Sequence, residues 1–298
     1  MKVRVKREIS HAFTRATGYQ ISRAANPAEA VPPPPMVSAQ AMQTAREGSG
    51  ERLLVRPTFI LSSVRSGSTL IRAMLNAHSQ IFSPHEVHLR ELQVHIPYKY
   101  AVQAVWELGL DRRGLQHLLW DRLLHRELMR SGKSVLVNKT PSDAFIWRDI
   151  LDCWPDAQFI FLLRHPLSIT DSWNKARKHW TREQAAADIN GYLTEVQAAR
   201  TEQGGLTVRY EDVTTDPERE TRRICEFLGV EWESSMVNYG EAGPSFVTGL
   251  GDWSSNIKSG KVQPARPLPS DEEIPEVLLD ISKQWGYLRE SYSVPSGS

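Results

Sequence analysis

Apolar positions along this chain gather into short runs, separated by longer stretches in which they recur at helical spacing. Residues 58–61, Thr-Phe-Ile-Leu, form an apolar run that predicts a buried strand. A polar loop from Ser62 to Ser68 follows, and then Leu70, Ile71, Met74, Leu75 and His78 recur along one helix face. Between 101 and 130, Val102, Val105, Trp106, Leu115, Leu118, Leu119, Leu123 and Leu124 predict one or two amphipathic helices. Val-Leu-Val at 135–137 and Gln-Phe-Ile-Phe-Leu-Leu at 158–163 predict further strands. A helix before the second ends near Trp154, because Pro155 disfavours helix at the residue it follows. Leu-Thr-Val-Arg-Tyr at 206–210 alternates and predicts another strand. Asp216 as N-cap and Pro217 at the first helical position open a helix through Ile224 and Phe227 to Leu228, stopped by Gly229. Strands alternating with helices predict an α/β fold, a three-layer sandwich around a mostly parallel sheet.

The first fifty residues differ. Residues 1–23 carry Lys2, Arg4, Lys6, Arg7, Arg15 and Arg23 against one acid, Glu8. The prolines at 32–35 exclude helix interior and central strand and read as a polyproline-type linker. Two readings of 1–23 stand: a disordered basic tail, or a basic helix with Val5, Ile9, Phe13 and Tyr19 on one face, resting on an anionic membrane or a partner. The expected organisation is a tail and linker over 1–50 and one folded domain over 51–298, its ordered part starting near Leu53.

Composition narrows the function classes. Lys+Arg 36 against Asp+Glu 35 gives a net charge of +1, so the chain is not built as a general nucleic-acid binder and any anion site is local. Cys153 and Cys225 are its two cysteines, which offer no disulfide framework. No apolar run approaches the ~20 residues of a bilayer span, and the N-terminus has no apolar signal core. The expectation is a cytoplasmic protein, with peripheral contact at the inner membrane face through residues 1–23 on the second reading of the tail. Oligomeric state is not set by any of this.

The polar loop is the first candidate site. Ser62-Ser-Val-Arg-Ser-Gly-Ser-Thr69 lies between a strand and a helix. Gly67 lets backbone N–H groups approach a ligand, the helix start adds unpaired donors, Ser66, Ser68 and Thr69 add hydroxyls, and Arg65 adds a cation. It departs from the GxxxxGK[ST] nucleotide loop, since no lysine follows Gly67. The stretch from Phe59 to Leu70 resembles the 5′-phosphosulfate-binding loop of sulfotransferases that use 3′-phosphoadenosine 5′-phosphosulfate (PAPS). Phe161-Leu-Leu-Arg-His-Pro-Leu-Ser-Ile-Thr-Asp-Ser-Trp173 is similar to the family's 3′-phosphate-binding strand–loop–helix. There, Arg164 and Ser172 have the required spacing. The resemblance implies that Tyr210 lies near the adenine. It also implies that Ser254, Ser255 and Lys258, in a Gly/Ser-rich loop, fold over the nucleotide.

The same resemblance implies a P-loop-like fold and sulfuryl transfer to a hydroxyl or amine. Motif order is closest to the tyrosylprotein branch, whose base is a glutamate. Glu86 in Ser83-Pro-His-Glu-Val-His88 stands at that position, with His85 and His88 as alternatives. Lys139 in Asn138-Lys-Thr-Pro141 resembles that branch's NK-x-P stretch, whose lysine supports the transferring group. Arg65 and Lys139 are then the cations that offset leaving-group charge. No His/Asp/Glu cluster has metal-ligand spacing, so no metal is called for. Unlike that branch, the chain shows neither a membrane anchor nor a disulfide pattern, which favours a small-molecule, lipid or glycan acceptor. Trp106, Trp120, Trp147, Trp173 and Trp180 are available as aromatic walls, and residues 91–100 as a border of the acceptor pocket. Two rivals remain: an ATP-dependent P-loop kinase, and a non-catalytic nucleotide-binding protein.

Overall fold

A computed structural model describes residues 52–240, 259–264 and 267–288. Residues 1–50 and the loop positions Ser254, Ser255 and Lys258 lie outside the described residues.

Five strands carry the architecture: β1 (Thr58–Ser62), β2 (Ile81–Phe82), β3 (Val135–Lys139), β4 (Gln158–Leu163) and β5 (Leu206–Arg209). All pair in parallel, in the order β2-β3-β1-β4-β5. The helices are α1 (Ser68–Asn76), α2 (Lys99–Glu107), α3 (Arg112–Ser131), α4 (Trp147–Cys153), α5 (Pro166–Ala176), α6 (Arg182–Gln203), α7 (Tyr210–Thr215), α8 (Pro217–Leu228) and α9 (Leu279–Gln284). The sheet is the middle of three layers, as in P-loop-like folds. Because side chains alternate along a strand, each strand feeds both faces. Ile60, Val137, Ile160 and Val208 pack with Leu70, Met74 and Leu75 of α1 and Ile224 of α8. On the opposite face Phe59, Leu61, Phe159 and Phe161 pack with Trp120 and Leu124 of α3, Trp147 of α4, Ile169 of α5 and Ile189 and Val196 of α6.

Helix ends follow local chemistry. Asp111 and Asp216 accept from the backbone N–H of Gly114 and Arg219, capping α3 and α8. Thr181 and Gln184 form a reciprocal capping box on α6. The chain enters the domain through buried Asp121 on α3, which accepts from Leu53 N at 2.8 Å, Leu54 N at 3.1 Å and Trp154 Nε1 at 2.8 Å.

Two expectations change. The fifth strand stops at Arg209, and Tyr210 instead opens α7, so its ring turns off the sheet toward the strand ends. Trp120 and Trp147 are core residues at 1% and 2% exposure, and Trp120 also borders a surface groove with Arg90, Arg113 and Ile146. Both cysteines are free and buried. Among the described residues no helix is long and apolar enough to cross a membrane.

Strand order sets where a ligand can sit. From β1 the chain crosses toward β3 and β2, whereas from β4 it crosses toward β5. Neighbouring strands whose connections diverge leave a crevice at their carboxyl ends. It lies between the loop after β1 and the loop after β4.

Candidate active site

Four adjacent strands deliver residues at or just past their ends to this edge. Lys139 ends β3, Ser62 ends β1, Arg164 follows β4 and Tyr210 follows β5. Residues scattered over 150 positions of sequence thereby meet along one line of strand ends.

The loop after β1 is held in an unusual backbone state. Arg65 has φ 61° and Gly67 φ 93°, both left-handed. For Arg65 this costs about 1 kcal/mol or more. Arg164 Nη1 donates to the Arg65 carbonyl at 2.9 Å, and Arg65 Nε donates to Ser172 Oγ of α5 at 3.1 Å, which fixes the bend. Ser172 is held by Arg65, while Arg164 lies over the Tyr210 ring at 4.3 Å.

Gly67 explains why the ring fits. A Cβ built there would lie 2.2 Å from Tyr210 Cδ2, so only glycine allows the ring to close against the loop. Gly67 also begins α1, leaving the N–H groups of Ser68 and Thr69 at the positive end of that helix.

Electrostatics and unmet hydrogen bonds point the same way. Burial first, and then the neighbouring Arg164, lower the Arg65 guanidinium from its ordinary value. Two cations held this close favour an anion between them. The hydroxyls of Ser62, Ser63 and Ser66 are buried and have no hydrogen-bond partner among the described residues. Buried polar atoms without partners are uncommon in folded proteins, and three around one cationic loop make a cradle for an anion with several acceptor oxygens.

At the next strand end, Lys139 is buried, with its side chain 1% exposed, and donates from Nζ to Glu86 Oε1 at 2.5 Å. His88 Nε2 lies 3.5 Å from the other oxygen, Oε2, and its side chain is 47% exposed. Thr140 Oγ1 accepts from the backbone N–H of Val87 at 3.1 Å and of His88 at 3.4 Å, which docks the 85–88 turn on the end of β3. Ser83 Oγ donates to the Val137 carbonyl at 2.8 Å and anchors the turn from its other side. The structure therefore brings Glu86, Lys139 and His88 together at the end of β3.

Aromatic residues flank Glu86 on the side of α6. Phe145 and Tyr192 meet edge to face at 4.6 Å, and Arg90 lies 4.7 Å over Phe145. The Tyr192 phenol is raised by burial and by Asp188, lowered by Arg90 and Arg177, and raised in smaller part by Glu86, which marks it as a neighbour of the pair. Trp173 and Trp180 pack at 6.3 Å with Arg177 over both rings. Trp106, with Val102 and Val105 of α2, lines a separate groove of about 510 Å³, to which the 91–100 segment contributes His95 and Ile96.

Two residues of the site were not read from the sequence. Thr140 was quoted only as a position within the Asn138–Pro141 stretch. Asp143 lies two residues beyond that stretch and is fully buried, with Oδ2 accepting from Asn138 Nδ2 at 2.7 Å. An acid just past a strand end that carries a lysine is the signal that could have found it.

Comparison with known proteins agrees with this geometry. The chain is 23% identical over 232 residues to Protein-tyrosine sulfotransferase A of Caenorhabditis elegans, covering 72% of this chain and 59% of that protein. It is 26% identical over 214 residues to Protein-tyrosine sulfotransferase 2 of Gallus gallus, covering 61% and 53%. The chain thus spans between half and three-fifths of the length of these two relatives. In fold it resembles the sulfotransferase domain of the olefin synthase of Synechococcus PCC 7002, with a TM-score of 0.53, 24% identity, and coverage of 82% of this chain and 98% of that one. The sequence profile described as Sulfotransferase family matches residues 57–234, more than half of the chain and every strand-end residue named above, and the chain belongs to that family.

Proposed function

We propose that the protein transfers a sulfuryl group from PAPS to a hydroxyl or amine of a small-molecule, lipid or glycan acceptor, with Glu86 as general base. The observation that carries this is the meeting of Arg65, Arg164, Ser172 and Tyr210 at the strand ends, beside the Glu86–Lys139 pair. When bound, PAPS supplies an activated sulfuryl group on a phosphate leaving group.

The chain's own residues have separable tasks. Ser66, Ser68, Thr69 and the α1 N-terminus bind the 5′-phosphosulfate end, and the partnerless hydroxyls of Ser62, Ser63 and Ser66 suit it. Arg164 and Ser172 hold the 3′-phosphate, for which a guanidinium gives charge-assisted bonds. Tyr210 packs against the base, and Ser254, Ser255 and Lys258, outside the described residues, are assigned to the same nucleotide. Arg65 and Lys139 offset charge that grows on the leaving oxygen, where preorganised cations contribute most. Glu86 Oε2 takes the acceptor proton, and His88, 3.5 Å away, can relay it to solvent. The cations for this chemistry are protein side chains, so the proposal calls for no metal.

Phe145 and Tyr192, the second of them a neighbour of Glu86, support a flat or ringed acceptor there. The proposal places the protein in the cytoplasm, with residues 1–23 touching the inner membrane face. A form lacking residues 1–50 should then lose affinity for anionic vesicles, and equal binding would remove that part.

Calorimetric titration with 3′-phosphoadenosine 5′-phosphate (PAP), with AMP and ATP as controls, tests the donor assignment. Tight binding that needs the 3′-phosphate is expected, followed by acceptor screening with labelled PAPS over phenols, lipids and glycans. A preference for ATP with magnesium would overturn the proposal in favour of a kinase.

A further inference from the structure

Behind the Glu86–Lys139 pair lies a buried acid that the proposed chemistry does not use. Asp143 follows Lys139 by four residues, in the turn Pro141–Phe145, and is 1% exposed. Its Oδ2 accepts from Asn138 Nδ2 at 2.7 Å. Two oxygens remain unanswered: Asp143 Oδ1 and Asn138 Oδ1 are both buried, and neither has a hydrogen-bond partner among the described residues. Asn138 itself is fully buried. Leaving two buried acceptors unpaired, one of them on a charged carboxylate, would cost several kcal/mol.

One proton resolves both. If Asp143 is a neutral acid, its O–H can donate to the Asn138 carbonyl oxygen while Oδ2 keeps the bond from Nδ2. The result is an acid–amide pair with no unmet acceptor. A carboxylate offers no donor and leaves both oxygens orphaned.

The surroundings favour the neutral form. Burial pushes the Asp143 carboxyl up to about 8; the Asn138 bond lowers it, Glu86 raises it and Lys139 lowers it. Of the elements packed on this turn, β1 carries no charged residue. The turn Leu89–Glu91 brings Arg90 onto the neighbouring Phe145, and α6 brings Tyr192 onto the same ring. The charged groups acting on Asp143 directly are thus Glu86 and Lys139, the two groups assigned to the transfer.

We propose that Asp143 is a neutral carboxylic acid in the working protein, a positioning residue that keeps a second negative charge away from Lys139 so that the ammonium can turn from Glu86 to the donor. The role rests on the assignment of Glu86 and Lys139 made above. Ionised Asp143 would hold Lys139 back and repel an anionic donor through a poorly screened interior. Protonated Asp143 does neither. The site therefore has an alkaline limit set by a group that touches neither donor nor acceptor.

The test pairs a spectroscopic measurement with a binding one on the full chain. Asp143→Asn is close to isosteric with the neutral acid and can keep both bonds to Asn138. Infrared difference spectra between wild type and Asp143→Asn should show the carbonyl stretch of an undissociated acid at about pH 7, fading by about pH 9. Wild-type affinity for PAP should fall roughly tenfold over that interval, in proportion to the loss of the neutral form, and Asp143→Asn should show no such fall. Absence of the acid band at neutral pH would overturn the proposal. Superimposable PAP affinity profiles for wild type and Asp143→Asn would overturn the positioning role. Failure of both proteins to bind PAP at any pH would instead overturn the donor assignment and with it that role, while the infrared result would still decide the state of Asp143.

Discussion

Replacing Gly67 with alanine tests the contact on which the nucleotide end of the site depends. Two costs can be worked from the structure. First, φ at Gly67 is 93°, and a side chain in the left-handed region costs about 1–2 kcal/mol. Second, the new Cβ would lie 2.2 Å from Tyr210 Cδ2 and 2.5 Å from Cε2. The ring cannot simply retreat, because Arg164 lies on it at 4.3 Å and is itself tied to the Arg65 carbonyl. Overpacking of this kind costs about 1–3 kcal/mol, for a sum of roughly 2–5 kcal/mol. With about 2–4 °C per kcal/mol for a domain of this size, Tm should drop by roughly 4–20 °C if the loop keeps its place. If Tyr210 swings out instead, Tm falls less and PAP affinity falls more. Gly132→Ala supplies the control: its φ is 70° but nothing lies within 4 Å of the added Cβ, so only the backbone cost applies. Adding Tyr210→Ala to Gly67→Ala should recover part of the loss, since the clash goes with the ring. Thermal unfolding and PAP calorimetry on these variants check the scheme. A Gly67→Ala protein that matches Gly132→Ala in stability and wild type in PAP affinity would refute the ring-against-loop arrangement.

Three further outcomes are expected. Arg164→Ala should weaken PAP binding by about 10²-fold, the loss of a charge-assisted contact, while AMP binding changes little; calorimetry with both ligands checks it. Glu86→Gln should keep PAP affinity near wild type while turnover with an identified acceptor falls ~10²–10⁴-fold, and full turnover would move the base to His88. His117, buried on α3 beside Trp120, has its pKa lowered to about 4, burial being the main cause and Arg52 and Arg113 adding to it. Below an unfolded value near 6.5 the unfolded chain binds the proton first, so stability should fall as pH drops from about 6.5 to about 4, by up to about 1.4 kcal/mol per pH unit. Urea midpoints should show that slope in wild type and a shallower one in His117→Gln.

Much of this protein could be read locally. The run at 58–61, the spacing of Leu70, Ile71, Met74 and Leu75, and the Asp216-Pro217 start with its Gly229 stop each describe a few neighbouring residues, and the structure agrees with all three. Backbone sterics, capping and side-chain period act over one or two turns, so a short window contains their whole cause. Arg65 and Gly67 stood out as parts of one compact loop, and Arg164 and Glu86 were singled out through the resemblance of short motifs to the family's. Tertiary structure decided what those motifs do to one another. The order β2-β3-β1-β4-β5 follows from packing two apolar faces, and no window of sequence contains it. That order brings Arg65 onto Ser172 across 107 residues, and the 85–88 turn docked on β3 brings Glu86 onto Lys139 across 53. The neutral state inferred for Asp143 belongs to the same class. Its sequence neighbours suggest an ordinary acid, and only burial beside Asn138, where two oxygens meet no protein donor among the described residues, makes the protonated state the more favourable one.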